Sequence, residues 1–174
     1  MPSPTYTLIA SNTLSSSAAS VTFSSIPNTF TDLVLKGSSR SAGGNQAFAI
    51  LLRFNSDSAT NYSDTTIEGS GSAASSYRES NSVYGYITNG NVGSSATANT
   101  FSNWELYLPN YTVNSNKPFA DFSVTETNAT AAKMSADAGL WRNTATISSI
   151  VLTDNGGNFV SGSSFFLYGI RATA

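Results

Sequence analysis

The side chains of this chain that could do acid–base or covalent chemistry are few, and their types narrow that chemistry. Histidine and cysteine are both absent. Their absence removes Ser-His-Asp and Cys-His nucleophile arrangements, histidine- or thiolate-ligated metal sites, and disulfides. No Gly-x-Ser-x-Gly elbow and no Gly-x-x-x-x-Gly-Lys phosphate loop occurs. What remains is a carboxylate pair, because a glycosidase needs only two acids about 5 to 9.5 Å apart across a sugar. Glu68, Glu79, Glu105, Asp121, Glu126 and Asp137 are the candidates. Among 10 acids some stand at that separation by chance, and Glu105 or Glu126 on an outward strand face is more simply a solubilising residue. The sequence therefore assigns no catalytic residue, no metal and no cofactor.

Asp154-Asn155-Gly156-Gly157-Asn158 offers oxygen ligands of the kind a hard cation takes. Its spacing is not that of an EF-hand, and a tight hairpin connection accounts for the same residues. Aromatic side chains give a second kind of chemistry, stacking on sugar rings. Trp104 alternates with Glu105 and Leu106 as a buried side does, and Trp104 and Trp141 are expected in the core. Tyr84, Tyr86 and Tyr111 stand as candidate partner-binding residues.

The elements that must position these groups read as strands. Period-two alternation, rich in Val, Ile, Thr, Phe and Tyr, recurs from Tyr6 to Ala10, Ser20 to Ser25, Leu33 to Lys36, Phe48 to Phe54, Thr65 to Gly69 and Ser82 to Thr88. It continues from Asn103 to Leu108, Pro118 to Glu126, Met134 to Trp141, Ile147 to Thr153 and Ser164 to Ala172. Turn signals stand between them at Gly43-Gly44-Asn45, Asn55-Ser56-Asp57, Thr88-Asn89-Gly90-Asn91 and Asp154 to Asn158. The segments 70–80 and 90–100 read as long polar loops, and Ala129 to Ala138 is alanine-rich enough to allow a short helix instead of a strand. The pattern predicts an all-β chain of about ten or eleven strands, an antiparallel β-sandwich with a jelly roll as first choice. Residues 6–174 form that single domain. Met1 to Thr5, with Pro2 and Pro4 and no core pattern, reads as an extended N-terminal arm, with Tyr6 and Leu8 as its first anchors.

Charged residues are only 10% of the chain, against about 25% in an average globular protein. Hydroxyls and amides must carry solubility. Eight basic against ten acidic residues provide no footprint for nucleic acid. The longest apolar run, Ala47 to Leu52, is far below the roughly 20 residues of a membrane helix, so no membrane partner is expected. The first residues lack the basic start and apolar stretch of a signal peptide.

Val21-Thr22-Phe23-Ser24-Ser25-Ile26-Pro27, followed by Phe30-Thr31-Asp32-Leu33-Val34-Leu35, resembles small structural proteins of tailed bacteriophages, particularly the cyanophage type. Leu51-Leu52-Arg53-Phe54-Asn55, Asn61-Tyr62-Ser63, Gly69-Ser70-Gly71-Ser72-Ala73 and the closing Phe166-Leu167-Tyr168-Gly169-Ile170 look like the same group in the same order. The resemblance implies a virion component assembled in the bacterial host cytoplasm. It implies a capsid cement or decoration protein that binds major capsid subunits, in keeping with a homotrimer at repeated capsid sites. A tail-fibre or receptor-binding module recognising host surface glycans through Tyr84, Tyr86 and Tyr111 is the alternative. It carries over no catalytic residue.

Overall fold

The computed structural model describes residues 5–128 and 132–171. The described residues hold no helix and form twelve antiparallel strands in two sheets. These are β1 (Tyr6–Thr13), β2 (Ser20–Phe23), β3 (Asp32–Ser39), β4 (Ala47–Phe54), β5 (Tyr62–Gly69) and β6 (Ala74–Ser82). Then follow β7 (Gly85–Val92), β8 (Ser102–Leu108), β9 (Lys117–Thr125), β10 (Lys133–Trp141), β11 (Ile150–Asp154) and β12 (Ser164–Ile170). The large sheet runs β1-β12-β3-β8-β9-β10-β5-β6 and the small one β2-β11-β4-β7.

The strands β2, β4, β8, β9, β10, β11 and β12 bury alternate residues, as period-two patterning demands. Trp104, Leu106 and Leu108 of β8 are buried, as are Ile50, Leu52 and Phe54 of β4 and Phe165 and Leu167 of β12. They merge into one core, with Phe54 tilted against Trp141 at 5.5 Å and Tyr62 stacked on Trp141 at 6.4 Å between ring centroids. Two glycines make room for rings on neighbouring strands. Gly37 pairs with Trp104 and Gly139 with Phe119, and a Cβ on either would meet the partner ring at 2.1 and 2.0 Å.

Three expectations change. Residues 70–80, expected as loop, contain β6, whose residues are exposed from Ala74 to Asn81. With neither face buried, the strand has no hydrophobic alternation to betray it. The Thr88-Asn89-Gly90-Asn91 turn is instead a bulge inside β7. Phe48 pairs with Asn91 but Ile50 with Ile87, and Asn89 takes a positive φ of 53°. The Asp154 turn is not a hairpin, because β11 belongs to the small sheet and β12 to the large one. Its carboxylate is consumed locally, accepting from Asn91 Nδ2 at 2.8 Å, from the Gly156 amide at 3.2 Å and from Ser41 Oγ. The segment from Lys133 is strand, not helix, while residues 129–131 lie outside the described residues, as do Pro2 and Pro4 of the expected arm.

The sheets hold eight and four strands, and the excess is traceable. Without β5, β6, β9 and β10, two four-stranded sheets remain, β1-β12-β3-β8 and β2-β11-β4-β7. The additional strands extend the large sheet beyond the small one, which leaves β7 as the edge that the extension must cover.

Candidate functional site

Covering β7 explains why part of the interior is polar. An edge strand has backbone groups without ladder partners, and burial makes each of them costly unless paired. The large sheet supplies the partners. Asp137 of β10 accepts from the Thr88 amide at 3.2 Å and from Thr88 Oγ1 at 2.9 Å. Thr125 Oγ1 of β9 donates to the Asn89 carbonyl at 2.6 Å, Ser123 Oγ to the Thr88 carbonyl, and Ser39 Oγ of β3 to the Gly90 carbonyl at 3.1 Å. Asn89 reaches across to Glu68 Oε2 at 2.8 Å and Ser135 Oγ at 2.7 Å.

The acids exceed that requirement. Asp121 stands directly opposite Asp137 in the β9–β10 register, and Asp64 opposite Glu79 in β5–β6. Four of the chain's ten acids thus form a stripe across β9, β10, β5 and β6. Like charges opposed across strands repel. Neither oxygen of Asp121, 6% exposed, has a hydrogen-bond donor, and Oδ1 of Asp64, 4% exposed, has none either. Burial, reinforced by the charges of Asp137 and Glu79 and opposed by a hydrogen bond from Thr66, pushes the Asp64 carboxyl up to about 7. Burial likewise holds Asp121 well above the carboxylate range, helped by Asp137 and Asp64. A proton on Asp121 turns it into a donor toward Asp137. Beneath β7 this pair offers no room for a sugar. Of the other sequence candidates, Glu68 is paired with Lys133 at 3.0 Å, and Glu105 with Lys36 at 2.8 Å on the opposite face of the sheet. Glu126 accepts from the Asn128 amide at 2.6 Å.

That opposite, outer face of the large sheet is the second notable surface. An antiparallel sheet with one face in solvent normally alternates apolar inside with polar outside. Here one rung runs Leu8, Tyr168, Val34, Tyr107, Ala120 and Ala138, and the next Phe166, Lys36, Glu105, Phe122, Ala136 and Ile67. On this face Tyr107 is 38% exposed, Phe122 40% and Ile67 62%, with Met134 at the β10–β5 end, while Val34 is buried. A shallow cavity of about 600 Å³ opens between Ile67, Met134 and the β6 edge. On this outer face Lys36 pairs with Glu105, and Tyr107 donates to Asp32 at 2.8 Å.

Tyr6 and Leu8 lie on this face, half exposed, with Tyr6 edge-on to Tyr168 at 6.2 Å. The other sequence candidates do not join them. Tyr111 lies in the core, its hydroxyl donating to the Pro27 carbonyl, so it has no surface to offer a partner. Tyr84 precedes β7 and its ring carries the Arg53 guanidinium at 4.1 Å. Tyr86 is half-buried beside Asp64 and Glu79. Ile67, Phe122 and Met134 were not singled out from sequence. The available signal was Phe119 and Phe122 three apart in one strand, since odd spacing puts one of them outside. No protein-family model matches the chain, and no curated protein matches it.

Proposed function

We propose that this protein works by assembly, as a virion structural protein that binds major capsid subunits through the outer face of its large sheet. The observation that carries the reading is that face: rich in exposed apolar side chains across several strands, interrupted by the Lys36–Glu105 pair, and among the described residues without a layer to cover it. Contiguous exposed apolar surface on this scale marks interaction sites in soluble proteins. Eight strands about 4.8 Å apart and seven residues of about 3.3 Å each give a face of roughly 800 Å². One partner's share of a standard stable interface is also about 800 Å². The phage setting comes from the resemblance of the Val21 to Leu35 and Phe166 to Ile170 segments to tailed-phage structural proteins. In that setting the winding of β1–β4, β7, β8, β11 and β12 is read as a jelly roll, and the chain as a trimeric cement or decoration protein.

Quantitative mass spectrometry of purified particles tests this, with copies expected in fixed ratio to the major capsid protein. A few copies per particle would sink it. Phe122→Glu and Ile67→Glu are expected to abolish particle binding while the domain stays folded. The receptor-binding alternative loses two of its three aromatics, Tyr111 to the core and Tyr84 to Arg53.

A further inference from the structure

A cavity of about 200 Å³ opens at the seam where β5 and β6 run past β7. Ala49 of β4, Asp64 of β5, Tyr77 and Glu79 of β6, and Tyr86 and Thr88 of β7 line it. Two features point to an occupant. Asp64, almost wholly withdrawn from solvent, lines this cavity and carries a carboxylate oxygen with no hydrogen-bond partner. Glu79 stands opposite it in the ladder, and Asp137 and Asp121 lie behind it.

Among the described residues no cation answers these charges. Lys133 is committed to Glu68 at 3.0 Å, and Arg53 to the Tyr84 ring and the Val83 carbonyl. Arg78 alternates to the other face of β6, opposite Thr65. Arg142 binds the Thr60 carbonyl and Asn81, and Lys117 binds backbone carbonyls. The occupant must therefore bring positive charge or hydrogen-bond donors, and it must lie beside the tyrosines 77 and 86. A metal ion fits poorly, because no group of three or more acidic side chains among the described residues is arranged to hold one. An ammonium head on an apolar stem meets both demands, with its charge on the carboxylates and its methylenes on the aromatic rings.

We propose that this cavity is a seat for an alkylammonium group, with Asp64 and Glu79 as its anionic partners and Tyr77 and Tyr86 as its walls. The group comes from a free diamine or from a lysine side chain of a partner protein. This site is separate from the outer sheet face and does not depend on the virion reading. Seating the cation ionises Asp64, whose proton leaves to the buffer, because burial and the neighbouring Asp137 and Glu79 hold that carboxyl near 7 in the empty site. Tyr77, Tyr86, Glu68 and the Asp121–Asp137 pair are the other titratable groups that face the site from β5, β6, β7, β9 and β10.

Isothermal titration calorimetry with n-butylammonium, calcium chloride and glucose as separate probes tests the proposal. n-Butylammonium is expected to bind with a Kd on the order of 1 mM, as suits so small a ligand. Binding should be about tenfold tighter at pH 8 than at pH 6, because protonated Asp64 competes below its raised pKa. Heats in phosphate and in MOPS should differ by the proton released. Asp64→Asn should weaken binding at least tenfold, and Tyr86→Ala about three- to fivefold. Asp64→Asn removes a buried charge, so its fold is retained, and circular dichroism checks this. Cadaverine against a lysine-containing peptide then separates the two sources. Three results would each overturn the seat: no n-butylammonium binding, binding that Asp64→Asn leaves intact, or tighter binding of calcium or glucose than of the amine.

Discussion

Between β3, β4, β8, β11 and β12 the two sheets meet through Leu35, Leu52, Trp104, Leu152 and Phe165. Around β7 the same two sheets meet through Thr66, Thr88, Asp121, Ser123 and Asp137. Both regions are buried, and they differ in what the backbone requires. Strands with neighbours on both sides have their amides and carbonyls paired, so only side-chain volume must be filled. β7 closes the small sheet, and its unpaired edge must be answered by hydroxyls and a carboxylate. Interior polarity here follows from sheet width: a large sheet that overruns a small one buries an edge.

Trp104→Ala should break the apolar region most severely, costing about 3–5 kcal/mol in urea unfolding at pH 7 through lost burial and the cavity left behind. Gly37→Ala acts on the same contact from the other side, with a Cβ 2.1 Å from the Trp104 ring, and should cost about 1–3 kcal/mol. The two together should be less than additive, because removing the ring makes room for the methyl group.

The acid region should respond with the opposite sign. Asp121→Asn replaces a carboxyl without donors by an amide able to donate to Asp137, and should gain about 1–3 kcal/mol at pH 8 and almost nothing at pH 4. Wild-type stability should fall as pH rises. The folded carboxyls of Asp64 and Asp121 are raised, so below the unfolded value both states are protonated and nothing is lost. Above about pH 4 the unfolded chain ionises first, and stability declines until the folded Asp64 ionises at about 7. Melting temperatures from pH 4 to 8 should show this decline, flattened in the double variant Asp64→Asn, Asp121→Asn. A flat wild-type profile would erase the contrast between the regions. The smallest stability effect is expected outside both, where Phe122→Ser should stay within about 0.5 kcal/mol while removing particle binding.

How much of this was legible follows from the same physics. Strands with one buried face, such as β4 with Phe48, Ile50, Leu52 and Phe54, carry their assignment in alternation. β6 carried none because both of its faces are exposed, so Ala74–Ser82 read as loop. Asn89-Gly90 read as a turn because a bulge and a turn ask for the same positive φ. Asp121 and Asp137 were legible as acids but not as neighbours, since their pairing depends on the β9–β10 register. Tyr111 looked like a surface aromatic, yet its hydroxyl finds the Pro27 carbonyl, a contact 84 residues away in sequence.

The protonated acids also alter how the folded chain meets an electric field. With Asp64 and Asp121 neutral, eight cationic side chains face eight ionised acids. The native isoelectric point then moves from the sequence value of 4.9 toward about 6, and native and urea focusing gels should separate the two forms. Near that pH, copies of the protein carry no net charge and can crowd side by side without mutual repulsion.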